Sequence, residues 1–160
     1  AKVVETMRAF IGWAQVMCKN EYQYGTPWSN LLRLVFGSDA KGGTATDPEL
    51  LYNKIKISKG GVVVPYSPSG VIDSQSFNVS WTDNTGEGGA LAGDLCCLMV
   101  YNSAKKAAVF TVNGGSRESR QGTLTLPTAW SGDSVDTWMA FRREDNTEQS
   151  DSVYLGNFSI

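Results

Sequence analysis

The feature that most constrains the fold is a series of short apolar runs from residue 54 onward, broken by turn residues about every ten positions. In residues 77–81, Phe77, Val79 and Trp81 alternate with polar residues, which predicts a half-buried strand with these three on its inner face. Residues 95–101 and 135–141 are apolar on both faces and predict central strands. Shorter runs occupy residues 55–57, 62–65, 107–112, 123–126 and 152–158. Because no helix of crossover length separates these runs, we expect a mainly β fold, an antiparallel sandwich of about seven strands.

Residues 1–53 have a different residue pattern from the rest of the chain and predict a helical and irregular segment before the sandwich at residues 54–160. Apolar residues spaced by three and four predict an amphipathic helix of about 16 residues. Its apolar stripe comprises Val3, Val4, Met7, Phe10, Ile11, Ala14, Met17 and Cys18. A second helix is predicted at residues 27–36, because Pro27 suits a first turn and Gly37 can end a helix. We interpret residues 38–46 as a loop.

The apolar stripe of the first helix needs a surface to pack on, since burying one such side chain contributes roughly 1.5–3 kcal/mol. The stripe can cover the chain's own sandwich, which predicts a monomer, or it can form an assembly surface. We favour the assembly surface, because a seven-strand sandwich can close its core without a helix. The residues of this predicted interaction surface are Val3, Met7, Phe10, Ile11, Ala14 and Met17.

Composition argues against catalysis and against several partners. The chain has no histidine, which removes the usual general base near neutral pH and every triad or zinc site that needs imidazole. The acidic residues in 144–151 predict a solvated turn, not two carboxylates facing each other across a cleft. We therefore expect no enzyme and no catalytic residues. The net charge of −2 favours neither nucleic acid nor a membrane as partner, and we interpret the pairs Arg117 with Arg120 and Arg142 with Arg143 as solvated turns.

Two adjacent cysteines, Cys96 and Cys97, can indicate a redox centre, half of a metal site or a packed strand. Successive side chains on a strand point to opposite faces, so these thiols cannot act together on one ligand. With Cys18 the chain has three thiols and no histidine, which falls short of a zinc set. We expect packing, with no metal and no cofactor.

Two loops carry groups that suit ligands. Residues 82–94 offer Asp83, Asn84, Glu87 and Asp94 as oxygen ligands for calcium, but the spacing fails the EF-hand pattern, so we expect a flexible loop. Aromatic rings outside the strands can stack on sugars or seal the join between helices and sheet. These possible sugar-stacking residues are Tyr22, Tyr24, Trp28 and Trp130.

Three segments, SFNVSWTDN, DLCCLMVYN and GTLTLPTAWSGDSVDTWMAF, resemble the immunoglobulin-like order and that of fibronectin type III domains. Trp81 stands where such folds place a core tryptophan, whereas the tyrosine usual at the later corner is absent, with Val135 nearest to its place. A closer resemblance is to a family of uncharacterised Bacteroidetes proteins. It rests on ISKG (57–60), SWTDNTGEG (80–88), LTLPTAWSGDSVDTWMAF and DSVYLG (151–156). This resemblance implies a helical part before such a sandwich and implies no activity.

The strand pattern predicts an antiparallel β-sandwich with an N-terminal helical segment, and the resemblance implies that this sandwich is immunoglobulin-like and fibronectin type III-like. We expect a non-enzymatic structural or protein-interaction module with a protein partner or self-association, by analogy in a surface structure or phage particle. The alternative is a carbohydrate-binding module. Because three cysteines do not suggest a secreted disulfide framework, we expect a cytoplasmic or virion-associated protein. We interpret Ala1 as a trimmed or processed end or the start of a fragment.

Overall fold

Apolar runs in the sequence form most of the strands, and the fold is mainly β with short helices near the N-terminus. The computed structural model describes residues 2–19, 25–38, 40–44 and 48–160. Its helices are α1 (Lys2–Met7), α2 (Ile11–Met17) and α3 (Pro27–Gly37). Its strands are β1 (Lys41–Gly43), β2 (Pro48–Leu50), β3 (Tyr66–Asp73), β4 (Ser76–Thr82), β5 (Leu95–Asn102), β6 (Ala107–Thr111), β7 (Gln121–Thr125), β8 (Ser134–Arg142) and β9 (Val153–Ser159).

The described strands pair antiparallel and form three sheets. β1 and β2 form a small hairpin, β3-β4-β7 form a three-stranded sheet, and β6-β5-β8-β9 form a four-stranded sheet. A core lies between the two larger sheets, and β4 contributes Phe77, Val79 and Trp81 to it. Asn78 and Ser80 alternate with these residues and are half-buried and exposed, respectively. The predicted inner face of this strand is therefore confirmed.

The four-stranded sheet has a second core on its outer face, where the helices pack. Almost every residue of β5 and β8 is buried, because alternate side chains enter the two cores. Phe10 lies over this sheet, with ring centroids 5.3 Å from Tyr101 of β5 and 5.7 Å from Trp138 of β8. The described residues thus form three layers, and the prediction that both strands are covered on both faces is confirmed.

The N-terminal stripe forms two short helices, not the single helix that the spacing predicts. The backbone of Phe10 leaves the helical region (φ −95°, ψ 4°), and a 3-10 turn at Arg8–Phe10 joins α1 to α2. The second predicted helix is confirmed as α3. Thr26 and Ser29 cap its start reciprocally, and Gly37 is its last residue. Within the described ranges, no helix has the length and apolar character that crossing a membrane requires.

Two predicted strands and one predicted loop are wrong. Residues 55–57 and 62–65 form no strand, and β1 lies inside the predicted loop at residues 38–46. Ile55 and Ile57 are nevertheless buried, as their alternation with lysines indicates. Their backbone carbonyls accept hydrogen bonds from side chains: Trp138 Nε1 donates to Ile55 O (3.2 Å) and Trp13 Nε1 to Ile57 O (2.8 Å). Side chains thus take the place of a strand ladder here.

The strand β3 was not predicted, because its sequence YSPSGVID lacks an apolar pattern. It lies at the edge of the three-stranded sheet, where a proline such as Pro68 is tolerated. The pairing with β4 shifts register between Tyr66 and Ser69, and Ser67 there has a positive φ of 46°. The bulge and the edge position together accommodate a residue that would break a central strand.

Candidate interaction surface

The residues of the predicted interaction surface are divided by the fold. Val3 is half-buried against the core beneath the helices, and Ile11 is 43 % exposed. The other four are at most 1 % exposed within that core; they are Met7, Phe10, Ala14 and Met17. The expectation that the whole stripe faces another chain is therefore corrected, because these four side chains pack on the chain's own sheet.

The aromatic residues considered for sugar stacking do not form a platform among the described residues. Trp130 is 5 % exposed and belongs to the core between the two sheets. Trp28 is half-buried and packs against the core beneath the helices. Tyr22 and Tyr24 lie outside the described residues. Trp28 fits the alternative interpretation, in which the rings seal the join between helices and sheet, whereas Trp130 is buried between the two sheets and fits neither interpretation.

Cys96 and Cys97 are fully buried on opposite faces of β5, as predicted, and Cys18 is buried as well. The strand β7 passes close to Cys96, since a Cβ on Gly122 would lie 2.8 Å from the Cys96 Sγ. Burial raises the pKa of the Cys97 thiol to about 12, although Arg142 acts in the opposite direction, and burial also raises the pKa of Cys96. A reactive cysteine needs a lowered pKa, so both thiols fit a packing role.

The loop at residues 82–94 supplies partners to two arginines. Asp94 and Asn84 are buried and accept hydrogen bonds from Arg117, whose side chain is 0 % exposed. Arg117 Nη2 lies 2.9 Å from Asp94 Oδ2, and Arg117 Nη1 lies 2.7 Å from Asn84 Oδ1. Arg143 donates to the other carboxylate oxygen of Asp94 at 2.7 Å. The expectation of a flexible loop is therefore corrected at Asp94 and Asn84, which are fixed partners of buried charge.

The buried Arg117 side chain has a structural role and is not the solvated turn residue that the sequence predicts. Its Nη2 also donates to Val63 O (2.8 Å), and its Cζ lies 4.0 Å from the centroid of the Phe141 ring. Burial lowers the pKa of the guanidinium and Asp94 raises it, and arginine stays charged at neutral pH. Within the described residues, no group of three or more His, Cys, Asp and Glu side chains has the arrangement of a metal site.

The outer face of the three-stranded sheet carries a groove of about 340 Å³, which we call the sheet groove. Its floor is formed by two cross-strand rows, one running Val71–Asn78–Thr123 and the other Ser69–Ser80–Gln121. Five of these six residues are exposed and Asn78 is half-buried, and none is charged. The remaining lining residues are Gly70, Val79, Gly114 and Gly122. The sheet groove is thus a neutral surface of hydroxyl and amide groups with one exposed apolar residue.

The groups along the floor are partly bonded to each other. Thr123 Oγ1 donates to Asn78 Oδ1 at 2.9 Å, and the hydroxyls of Ser69 and Ser80 lie 3.4 Å apart. Val71 is 56 % exposed at the edge strand β3. Such a floor can exchange hydrogen bonds with a polar, uncharged ligand and can bury one apolar group of that ligand.

Comparison with known proteins gives one family. The profile of a family of unknown function, DUF6266, matches residues 37–156, three quarters of the chain. The matched region begins at the last residue of α3 and includes both larger sheets up to Gly156 in β9. No curated protein matches the chain.

Proposed function

The chain belongs to DUF6266, a family of unknown function, and we propose that it is a non-enzymatic structural or protein-interaction module. The observation that carries this proposal is the asymmetry of the sandwich. The helices cover the outer face of the four-stranded sheet, whereas the floor of the sheet groove is exposed on the three-stranded sheet. The exposed face is a surface that can receive a partner without rearrangement of the described residues.

We further propose that the sandwich is fibronectin type III-like within the immunoglobulin-like group. The strands β3 to β9 provide the seven strands of such a sandwich. The first, second and fifth of these share one sheet and the third, sixth and seventh share the other, as in the immunoglobulin order. The fourth pairs with the third, which supports the fibronectin type III-like variant. A Bacteroidetes origin stays a prediction from resemblance, a place in a surface structure or phage particle stays a prediction from analogy, and self-association stays a prediction from the apolar stripe.

The partner we propose for the sheet groove is an extended, uncharged segment of another protein. The hydroxyl and amide groups of Ser80, Gln121 and Thr123 can exchange hydrogen bonds with a peptide backbone. Val71 offers an apolar contact for one side chain of the segment. A charged segment would lose hydration on this neutral floor without gaining a partner of opposite charge.

Selection of peptides from a displayed random library tests this proposal, with two variants of β4 as the discriminating pair. Ser80→Trp places an indole on the groove floor, whereas Thr82→Trp makes the same kind of change on the same strand outside the lining residues. We expect selected peptides to be uncharged and to bind at least tenfold more weakly to Ser80→Trp, with less than a twofold change for Thr82→Trp. Peptides that bind both variants equally, or a selection that enriches none, would contradict the proposal.

A carbohydrate ligand is the second candidate, because hydroxyl and amide groups also match the hydroxyls of a sugar. No aromatic ring belongs to the residues that line the sheet groove, so the stacking that such modules use is missing there. A glycan array probed with the wild type and the same two variants distinguishes the candidates. Glycan binding that Ser80→Trp abolishes and Thr82→Trp retains would replace the protein partner with a carbohydrate.

A further inference from the structure

A second concave region, which shares no lining residue with the sheet groove, lies between the end of α3 and residues 54–59. Its volume is about 550 Å³, within the range of small-molecule sites. Four cationic side chains line this basic cleft: Arg33, Lys54, Lys56 and Lys59. The whole chain has 14 basic residues and a net charge of −2, so this concentration of positive charge is not a result of a basic composition.

The backbone that carries the three lysines is held in place by buried contacts. Ile55 and Ile57 lie in the core beneath the helices, and their carbonyls accept the hydrogen bonds from Trp138 and Trp13 described above. Gln149 Nε2 also donates to Lys59 O at 2.7 Å. All three lysine side chains are exposed; Lys54 and Lys56 alternate with the buried isoleucines and Lys59 follows the buried Ser58, so the fold presents positive charge from a fixed backbone.

Within the described residues, one of the three lysines has a carboxylate partner. Asp151 lies 2.9 Å from the Lys56 ammonium. For Lys54 and Lys59, no carboxylate partner occurs among the residues that the structure describes. Like charges that line one concave surface repel each other, and the shape of the surface focuses their field on a ligand. The C-terminal end of α3 carries a partial negative charge that stabilises nearby cations. The cationic side chains therefore also have a purely structural role, which an experiment must distinguish from ligand binding.

We propose that the basic cleft binds the phosphate group of a small-molecule ligand. Lysines act on phosphate as point charges, and the guanidinium of Arg33 has the planar fork that matches phosphate oxygens. The opening accommodates more than one phosphate group, since its volume exceeds that of a single oxyanion several-fold. This site is independent of the sheet groove and of the module's partner.

Calorimetric titration tests the proposal with two probes, inorganic pyrophosphate and ADP, each against sodium chloride at the same ionic strength. The discriminating variant is Lys54→Gln/Lys59→Gln, and the matched control is Lys105→Gln/Lys106→Gln, which changes the net charge equally outside the cleft. Thermal unfolding midpoints confirm that both variants fold. Tighter binding of ADP than of pyrophosphate would identify a nucleotide as the source of the phosphate.

The expected result is saturable binding of at least one probe, weakened at least tenfold in Lys54→Gln/Lys59→Gln and less than twofold in the control. Binding should also weaken as salt is added, since the side chains are exposed. If probe binding weakens equally in the two double variants, the effect depends on net charge alone, and that result would overturn the proposal. The absence of saturable binding for both probes would overturn it as well.

Discussion

Among single residues, Arg117 joins several segments that lie far apart in the sequence. Its side chain binds Asp94 and Asn84, and its own carbonyl accepts a hydrogen bond from Trp81 Nε1 at 2.9 Å. A buried charge loses its hydration, and only a complete set of partners offsets that loss. Here the guanidinium has a carboxylate, an amide oxygen and the carbonyl of Val63, so each of its three nitrogens has an acceptor.

We expect Arg117→Met to lower the free energy of unfolding by roughly 3–5 kcal/mol, because it leaves Asp94 and Asn84 buried without their main donor. Arg120→Met is the control: Arg120 is exposed three residues away, and a change of less than about 0.5 kcal/mol is expected there. Urea denaturation of the three proteins gives the values. A loss below about 1 kcal/mol for Arg117→Met would show that the charge is not buried.

The position of Arg117 could not be predicted from the sequence, because burial of a single arginine depends on residues far along the chain. Its partners Asp94, Asn84 and Val63 precede it by 23, 33 and 54 positions. A local pattern shows only an arginine among polar residues, for which solvent is the usual place. The cysteine prediction succeeded because alternation along a strand is a local property.

At the scale of elements, the edge strand β3 and its turn depart most from the usual sequence signals. β3 and β4 are joined by the two residues Ser74 and Gln75, with φ of 49° and 63°. Two-residue hairpin turns of this kind favour Asn-Gly, since positive φ suits glycine and asparagine. With Pro68 in the strand and Ser-Gln in the turn, neither the strand nor the hairpin could be predicted.

We expect Gln75→Gly to raise the free energy of unfolding by about 0.5–1 kcal/mol, because glycine adopts positive φ without a steric penalty. The change also removes Gln75 Oε1, a buried atom that has no hydrogen-bond partner among the described residues. The same change at Gln121→Gly, in the strand β7, should instead lower stability by a similar amount. Thermal unfolding compares the variants, and a loss at both positions would argue against the turn geometry.

The strand bounds predicted with least error belong to strands in which the apolar pattern of the sequence matches the burial of the side chains. β5, β6, β8 and β9 lie within one residue of their predicted bounds and β7 within two, because apolar runs between turns report burial directly. Residues 55–57 show the limit of that argument. The alternation correctly predicts which side chains are buried. It does not predict the backbone pairing, because side-chain donors, and not a neighbouring strand, form the hydrogen bonds with the backbone carbonyls here.

At the scale of the whole molecule, the placement of the helices determines which sheet has its outer face exposed to solvent. The sequence gives an apolar stripe but not the surface that it covers, since burial against a sheet or against another chain removes the same apolar area from water. The apolar pattern of two strands distinguishes between these two surfaces. Strands apolar on both faces, as in β5 and β8, require a second cover, and the helices supply it.

The layered arrangement also explains why the sheet groove is the surface we propose for a partner. With the helices on the four-stranded sheet, most of the apolar area of the stripe is buried within the chain. The three-stranded sheet presents polar groups outward, which remain stable in water while no partner is bound. An assembly through the helix stripe would require these helices to leave the sheet and expose its second core.

The most direct test of this account measures the stability of Phe10→Ala and Ile11→Ala by urea denaturation at two protein concentrations. Phe10 is 0 % exposed on the sheet, whereas its neighbour Ile11 is 43 % exposed. We predict that Phe10→Ala lowers the free energy of unfolding by about 3–5 kcal/mol at both concentrations, and that Ile11→Ala changes it by less than about 1 kcal/mol. An unchanged stability for Phe10→Ala, or a loss that depends on protein concentration, would contradict the packing of the helices on the chain's own sheet.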